Sequence, residues 1–263
     1  MLQQVTVKQL ASALFRALQT NMPIAPLKKQ WPEMDIKDAY AISTQMLALR
    51  TQHNGEIMTG KKVGITSAAV QEFMRVTEPD FGFLTDAMVH QDGAEINLLT
   101  TLIQPRVEAE IGFILSRELH GPCVTEQDVL DATAAIAPCL EIVDSRIKDW
   151  RIKIEDTIAD NASSGAYVLG RARANAKDYD LSQLHVELRK NGRSLSQGQS
   201  SIVLGNPLTA VAWLANTLAQ FGHHLRCGEI VLSGSVVTPV PVLAGDLVEM
   251  TLGGVGNATI KFT

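Results

Sequence analysis

Residues 104–115 read QPRVEAEIGFIL, and this run decides the fold. It alternates as a strand does. Val107, Ala109, Ile111, Phe113 and Leu115 fall on one face, and Glu108 and Glu110 on the other. Two carboxylates so spaced stand side by side, roughly 6–7 Å apart at their Cα atoms. In a stretch this apolar both are expected to be at least partly buried, where they repel unless protonated, paired or bound to a cation. Residues 134–145, AAIAPCLEIVDS, place Glu141 in a second apolar run. A lone Glu-x-Glu also fits an ordinary exposed sheet face. The third glutamate in a like setting favours an oxygen-ligand site for Mg²⁺ or Mn²⁺ built from Glu108, Glu110 and Glu141, with positions left open for a ligand.

The rest of the chain sets the bounds. Its 263 residues suffice for one large domain or two unequal ones, and 46% hydrophobic with 19% charged residues is ordinary for a globular protein. A net charge of −5 without a basic cluster argues against nucleic acid as a partner. Cys123, Cys139 and Cys227 show neither a disulfide framework nor paired metal spacing, which fits a reducing cytoplasm. No charged leader with a long apolar core follows Met1, and no run of about 18 apolar residues stands out, so neither export nor a membrane partner is expected.

Helical spacing follows a capping box at Thr6–Gln9, and a second helix is expected after Asp35, with Ile36, Tyr40, Met46 and Leu47 inward. Residues 60–66 read as a strand entering a turn, Ser67 as a helix cap, and EPDFGFL (78–84) as a turn. A helix is expected over 125–136 and another from Asn206-Pro207 to Gly222. Glu229 opens a strand that ends in small residues, and GGVGN (253–257) is a hairpin turn.

Further candidates surround the glutamates. By strand alternation one of Lys61 and Lys62 must point inward, and a lysine beside an anion and a metal can carry a proton; a surface pair is the plainer alternative. DTIADNASSG (156–165) offers Asp160 and Ser163 to a polar pocket, or is simply a loop of Asx turns. Ser233 and Ser235 flank Gly234 at a strand end, where a ligand can approach closely. Asp80 in EPDFG and Arg106 beside the glutamate strand complete the set, Arg106 as a carboxylate binder or an ion-pair partner. No GxSxG, Walker A or HExxH pattern is present.

GKKVGITS around Lys62, EPDFGFLTDAM, IQPRVEAEI, PCLEIVDSRIKDW, DTIADNASSG, AVAWLAN and GEIVLSGS, in this order, closely resemble the fumarylacetoacetate hydrolase superfamily. Within it they resemble the 2-hydroxypenta-2,4-dienoate (2-oxopent-4-enoate) hydratases of aromatic meta-cleavage pathways and their sister 4-oxalocrotonate decarboxylases. The resemblance implies an α+β fold, a rolled mixed β-sandwich core with flanking helices and a small N-terminal helical part. The expected division is 1–75 for that cap and 76–263 for the β-roll catalytic domain. It implies Mg²⁺ or Mn²⁺ on Glu108, Glu110 and Glu141, Lys62 as the active-site lysine, and Asp80, Ser163 and the Ser233–Ser235 turn in the substrate pocket. The implied activity is a hydro-lyase adding water to 2-hydroxypenta-2,4-dienoate to give 4-hydroxy-2-oxopentanoate. Decarboxylation of 4-oxalocrotonate (2-oxo-3-hexenedioate) and a non-catalytic partner role are the alternatives. A homo-oligomer, and a complex with a sister decarboxylase, are also implied. The superfamily's C–C hydrolases use a lid histidine; here no histidine precedes His53, which speaks against hydrolysis.

Overall fold

The computed structural model describes residues 1–263. Helices are α1 (Gln4–Thr20), α2 (Leu27–Gln30), α3 (Ile36–Asn54), α4 (Ala68–Met74), α5 (Leu98–Thr101), α6 (Glu126–Ala132), α7 (Ile154–Ala159) and α8 (Pro207–Gln220). Strands are β1 (Met58–Gly64), β2 (Asp80–Thr85), β3 (Val89–Gln91), β4 (Ala94–Ile96), β5 (Arg106–Leu115), β6 (Thr133–Val143), β7 (Ser164–Leu169), β8 (His185–Lys190), β9 (Arg193–Gln199), β10 (Ile230–Leu232), β11 (Val240–Pro241), β12 (Leu247–Leu252) and β13 (Gly256–Phe262). One eight-stranded sheet runs β2-β1-β10-β5-β6-β7-β3, with β11 added beside β5; a five-stranded sheet runs β4-β13-β12-β8-β9. Pairing is mixed: β1 with β10 and β3 with β7 are parallel, while β5 with β6 and β6 with β7 are antiparallel. Strands β5 and β6 of the first sheet pack against β8, β12 and β13 of the second. This is the α+β sandwich that the motifs implied.

The first sheet is covered on both faces, so its central strands are buried on successive residues rather than on alternate ones. Lys61 and Lys62 are therefore both buried, which corrects the expectation that only one points inward. Lys61 ends 2.6 Å from Glu229 Oε2, an acid that also accepts from the Arg226 backbone N–H. EPDFGFL is likewise no turn: from Asp80 it is β2, buried along its whole length beside β1.

Helix limits follow their caps. Asp35 and Asp38 close a capping box on α3, and Gly55 ends it in the left-handed conformation. Asn206 and Pro207 start α8 as expected. Thr125 caps α6, but that helix stops at Ala132 because Thr133 begins β6. The capping box at Thr6 is not formed; α1 starts at Gln4 and Thr6 is buried inside it. Ile36 faces solvent instead of the core. The apolar stretch Ser200–Gln220 is long enough to cross a membrane, yet Leu208, Val211, Leu214 and Leu218 of α8 are buried in the core, so it is a core helix.

One apolar cluster joins α1 and α3 to both sheets and α8. β1 falls within the expected 1–75 part but is an interior strand between β2 and β10. The helical layer proper therefore ends at Asn54.

At the end of β6 the chain turns around Arg146, whose side chain is fully buried. Its Nε donates to Asp160 Oδ1 at 2.6 Å, and its other nitrogens donate to the backbone oxygens of Asp144, Ser164 and Asp160. Asp160 Oδ2 accepts from Ser145 Oγ and the Arg146 N–H. Removing one partner of such a pair leaves an uncompensated charge. Arg146→Met should lower unfolding stability by about 3–5 kcal/mol, and adding Asp160→Leu should restore part of it, as measured by urea titration.

Candidate active site

The β5–β6 register places Glu108 directly opposite Glu141, and Glu110 opposite Cys139. Glu108 and Glu110 lie on one face of β5, so the three carboxylates converge, with one oxygen from each within 4.8 Å of the others. Glu110 and Glu141 are fully buried. Glu110 Oε2 accepts the Gly234 N–H at 2.8 Å. Glu110 Oε1 and both oxygens of Glu141 have no hydrogen-bond donor. Burial and the charge of Glu141 push Glu108 up to about 8 and hold Glu110 well above the ordinary carboxylate range. A cluster of buried, unpartnered carboxylate oxygens fits a hard divalent cation such as Mg²⁺ or Mn²⁺.

Lys62 approaches from β1, with Nζ 3.5 Å from Glu141 Oε1. That contact is Coulombic, since Glu141 Oε1 receives no hydrogen bond. Burial opposes the charge on Lys62, but Glu141, Asp80, Glu108 and Glu110 outweigh it and hold the ammonium above its ordinary pKa. Asp80 enters from β2 opposite Gly64. Burial pushes it up to about 6 despite Lys62. The N–H groups of Asp80 and Gly64 face its carboxylate without closing a full hydrogen bond. A Cβ at Gly64 would lie 2.2 Å from Asp80 Oδ1 and push that carboxylate from its place. Gly234 is required twice over, by φ +104 and by Thr66 Oγ1 only 2.3 Å from a Cβ position.

These groups line one end of a cavity of about 710 Å³ that contains Lys62, Asp80, Arg106, Glu108, Ser163 and Ser235. Glu110 and Glu141 stand behind Glu108 and are not in its wall. Arg106 lies over the Trp150 ring at 5.0 Å. Ser163 is presented by three successive left-handed residues, Asn161, Ala162 and Ser163. Asn161 holds that knot to β2, exchanging side-chain hydrogen bonds of 2.7 and 2.9 Å with the backbone of Phe83. Asp160 does not reach the cavity: both its oxygens serve Arg146 and Ser145, so its part is to position Ser163. Ser233 is buried outside the wall, and the Ser235 hydroxyl is engaged with Val237. The sequence reading missed Arg146 and Trp150, and it gave α4, which Ser67 caps as expected, no part in the site. The first two stand in the SRIKDW stretch directly after the Glu141 strand, and α4 follows directly after β1.

Glu108 holds its proton up to about 8 in the metal-free fold but only to about 4.5 as a free carboxyl. Between these values the folded state binds more protons than the unfolded state, so metal-free stability falls as pH rises. Thermal scans without metal should show Tm decreasing from pH 5 to 8, and a Mg²⁺-induced rise in Tm that grows over the same range. Glu108→Gln and Glu141→Gln should lose the Mg²⁺-induced rise and flatten the pH slope.

The family profile described as fumarylacetoacetate (FAA) hydrolase C-terminal matches residues 51–263. A 2-hydroxyhexa-2,4-dienoate hydratase of Comamonas testosteroni is 50% identical over 251 residues, covering 95% of either chain. A 2-keto-4-pentenoate hydratase of Paraburkholderia xenovorans (strain LB400) is 45% identical over 97% of this chain and 94% of its own. Among solved structures, the 4-oxalocrotonate decarboxylase from Pseudomonas putida G7, complexed with magnesium and adipate, superposes with a TM-score of 0.96 at 33% identity, over 100% of this chain and 99% of that one. With nearly its whole length matched in sequence and in three dimensions, the chain belongs to the fumarylacetoacetate hydrolase family, in the group of 2-keto-4-pentenoate hydratases and 4-oxalocrotonate decarboxylases.

Proposed function

We propose that the chain is a divalent-metal-dependent hydro-lyase that adds water to 2-hydroxypenta-2,4-dienoate and yields 4-hydroxy-2-oxopentanoate in aromatic meta-cleavage catabolism. The observation that carries this reading is the meeting of Lys62, Asp80 and Glu108 in one cavity wall, backed by Glu110 and Glu141 with carboxylate oxygens that have no donor. The names of relatives 40–50% identical to the chain support the same chemistry. The decarboxylase stands further off at 33%.

Glu108, Glu110 and Glu141 are the proposed holders of Mg²⁺ or Mn²⁺. A divalent cation there supplies Lewis-acid charge for the oxygens of a 2-oxo acid. Arg106, free of any carboxylate and steadied by Trp150, is placed to bind the substrate carboxylate, with Ser163 as a further hydrogen-bonding group. Lys62 is the proton shuttle. As an ammonium it delivers a proton to C5 of the dienol, while Asp80 accepts the proton leaving the 2-hydroxyl. The resulting 2-oxo-3-enoate is electron-poor at C4. Water adds there, its hydroxyl going to C4 and a proton to C3, and the lysine and the aspartate return to their starting states. Both groups are shifted upward, Lys62 held as the ammonium by the acids around it and Asp80 pushed up to about 6 by burial, so an acid and a strengthened base stand side by side for this two-way proton traffic.

An intact Lys62 and a complete set of glutamates speak against a purely scaffolding role. A homo-oligomer, and assembly with a sister decarboxylase, are part of the proposal, as is a cytoplasmic location, which the three free thiols support.

With Mg²⁺ present, purified protein should bleach the ultraviolet band of fresh 2-hydroxypenta-2,4-dienoate, with 4-hydroxy-2-oxopentanoate seen by NMR and chelator abolishing both. Lys62→Met should lower kcat by about 10²–10⁴-fold while keeping the Mg²⁺-induced rise in Tm. CO₂ release from 2-oxo-3-hexenedioate without hydration of the dienoate would move the assignment to decarboxylase.

A further inference from the structure

The cavity that holds Lys62, Asp80 and Glu108 at one end is lined by Val70, Phe73, Ile202 and Val237 elsewhere. Three of these are exposed although apolar: Phe73 at 83%, Ile202 at 48% and Val70 at 39%. They come from separate parts of the chain, α4 and the turn before α8, yet they gather on one cavity. No residue of helix α4 is fully buried, so Val70 and Phe73 keep apolar surface open on the cavity they line. Isolated exposed apolar residues need no explanation, whereas a cluster continuous with a polar site marks a ligand surface.

Charge and volume narrow the ligand. Arg151, the cation in this wall besides Lys62 and Arg106, is largely exposed and already answered by Asp149 at 3.6 Å. A second carboxylate on the substrate would thus lie against Phe73 and Ile202 and lose water without gaining a free cation. A cavity of about 710 Å³ is also far larger than a five-carbon acid requires. It falls within the roughly 300–1,000 Å³ of pockets that enclose drug-sized ligands.

We propose that the site takes 2-hydroxy-2,4-dienoates carrying an uncharged apolar tail of several carbons, alkyl or phenyl, at the end remote from the carboxylate, and that Val70, Phe73 and Ile202 form the tail subsite. The identity of the dienoate head rests on the hydratase reading; the tail rests on the cavity wall. The tail shields the polar end from water while α4 and Ile202 gain the apolar contact they otherwise lack. Length of tail, not a second charge, then sets preference among substrates.

The test is calorimetric titration of Mg²⁺-loaded protein with 2-oxopentanoate, 2-oxoheptanoate, 2-oxononanoate and the diacid 2-oxoadipate. Full burial of each methylene is worth about fourfold in affinity. With part of the tail left wet, 2-oxononanoate is expected to bind at least about tenfold more tightly than 2-oxopentanoate, and 2-oxoadipate more weakly than 2-oxoheptanoate. Phe73→Ser and Ile202→Ser should flatten the dependence on length. Affinity that is level or falls with length would overturn the proposal, as would tightest binding of the diacid or equal binding of nonanoate, which lacks the 2-oxo group. Turnover of the parent dienoate judges the hydratase reading separately. A length dependence without hydration removes that reading and keeps the tail subsite, whereas hydration with a flat series removes the tail subsite alone.

Discussion

Like charge held in a sheet wall is the constraint on which the site depends. Glu108, Glu110 and Glu141 converge within 4.8 Å, and Asp80 adds a fourth acid nearby. Unit charges at about 4 Å repel by roughly 4 kcal/mol at an effective dielectric of 20. The fold relieves this pressure in part by leaving protons on Glu108 and Glu110 and by burying Lys62 among the acids. The remaining strain appears as carboxylate oxygens without donors. A divalent cation is the counter-charge suited to such a set.

Rigid parts around the acids keep them from separating. A pair of antiparallel central strands fixes Glu108 against Glu141 through backbone register, which side-chain motion cannot undo. Asn161 ties the left-handed knot to β2, the strand that carries Asp80, so Ser163 and Asp80 hold one mutual geometry. Arg146 ties that knot to the end of β6 in turn. Ser43 of α3 also reaches Asn161, at 3.5 Å, which makes the N-terminal helices a buttress for the site. Residues that never meet a ligand thus set the positions of those that do.

Chemistry and selection are divided along the cavity. The polar end rests on buried strands, where positions are fixed to fractions of an ångström by packing. The apolar end rests on α4 and the turn before α8, segments with few buried contacts. Change at the mouth costs the core little, so the tail subsite can vary while the acid–lysine chemistry stays constant.

The sequence by itself determined the strand character of residues 104–115, the pairing of Glu108 with Glu110 on one face, and the limits of α3 and α8, because these follow from local periodicity and capping. Motifs in order were enough to mark Lys62, Asp80 and Glu141 as neighbours through family likeness. Only the tertiary structure decided that both lysines are buried, since alternation assumes one solvated face and this sheet has none. It alone turned EPDFGFL into a buried edge strand, because partners on β1 supply hydrogen bonds that no local signal announces. It also withdrew Asp160 from the cavity and gave it to Arg146, a residue 14 positions earlier. The roles of Trp150, Phe73 and Ile202 were likewise invisible in sequence, because a shared wall is made by segments whose separation along the chain says nothing about their distance in space.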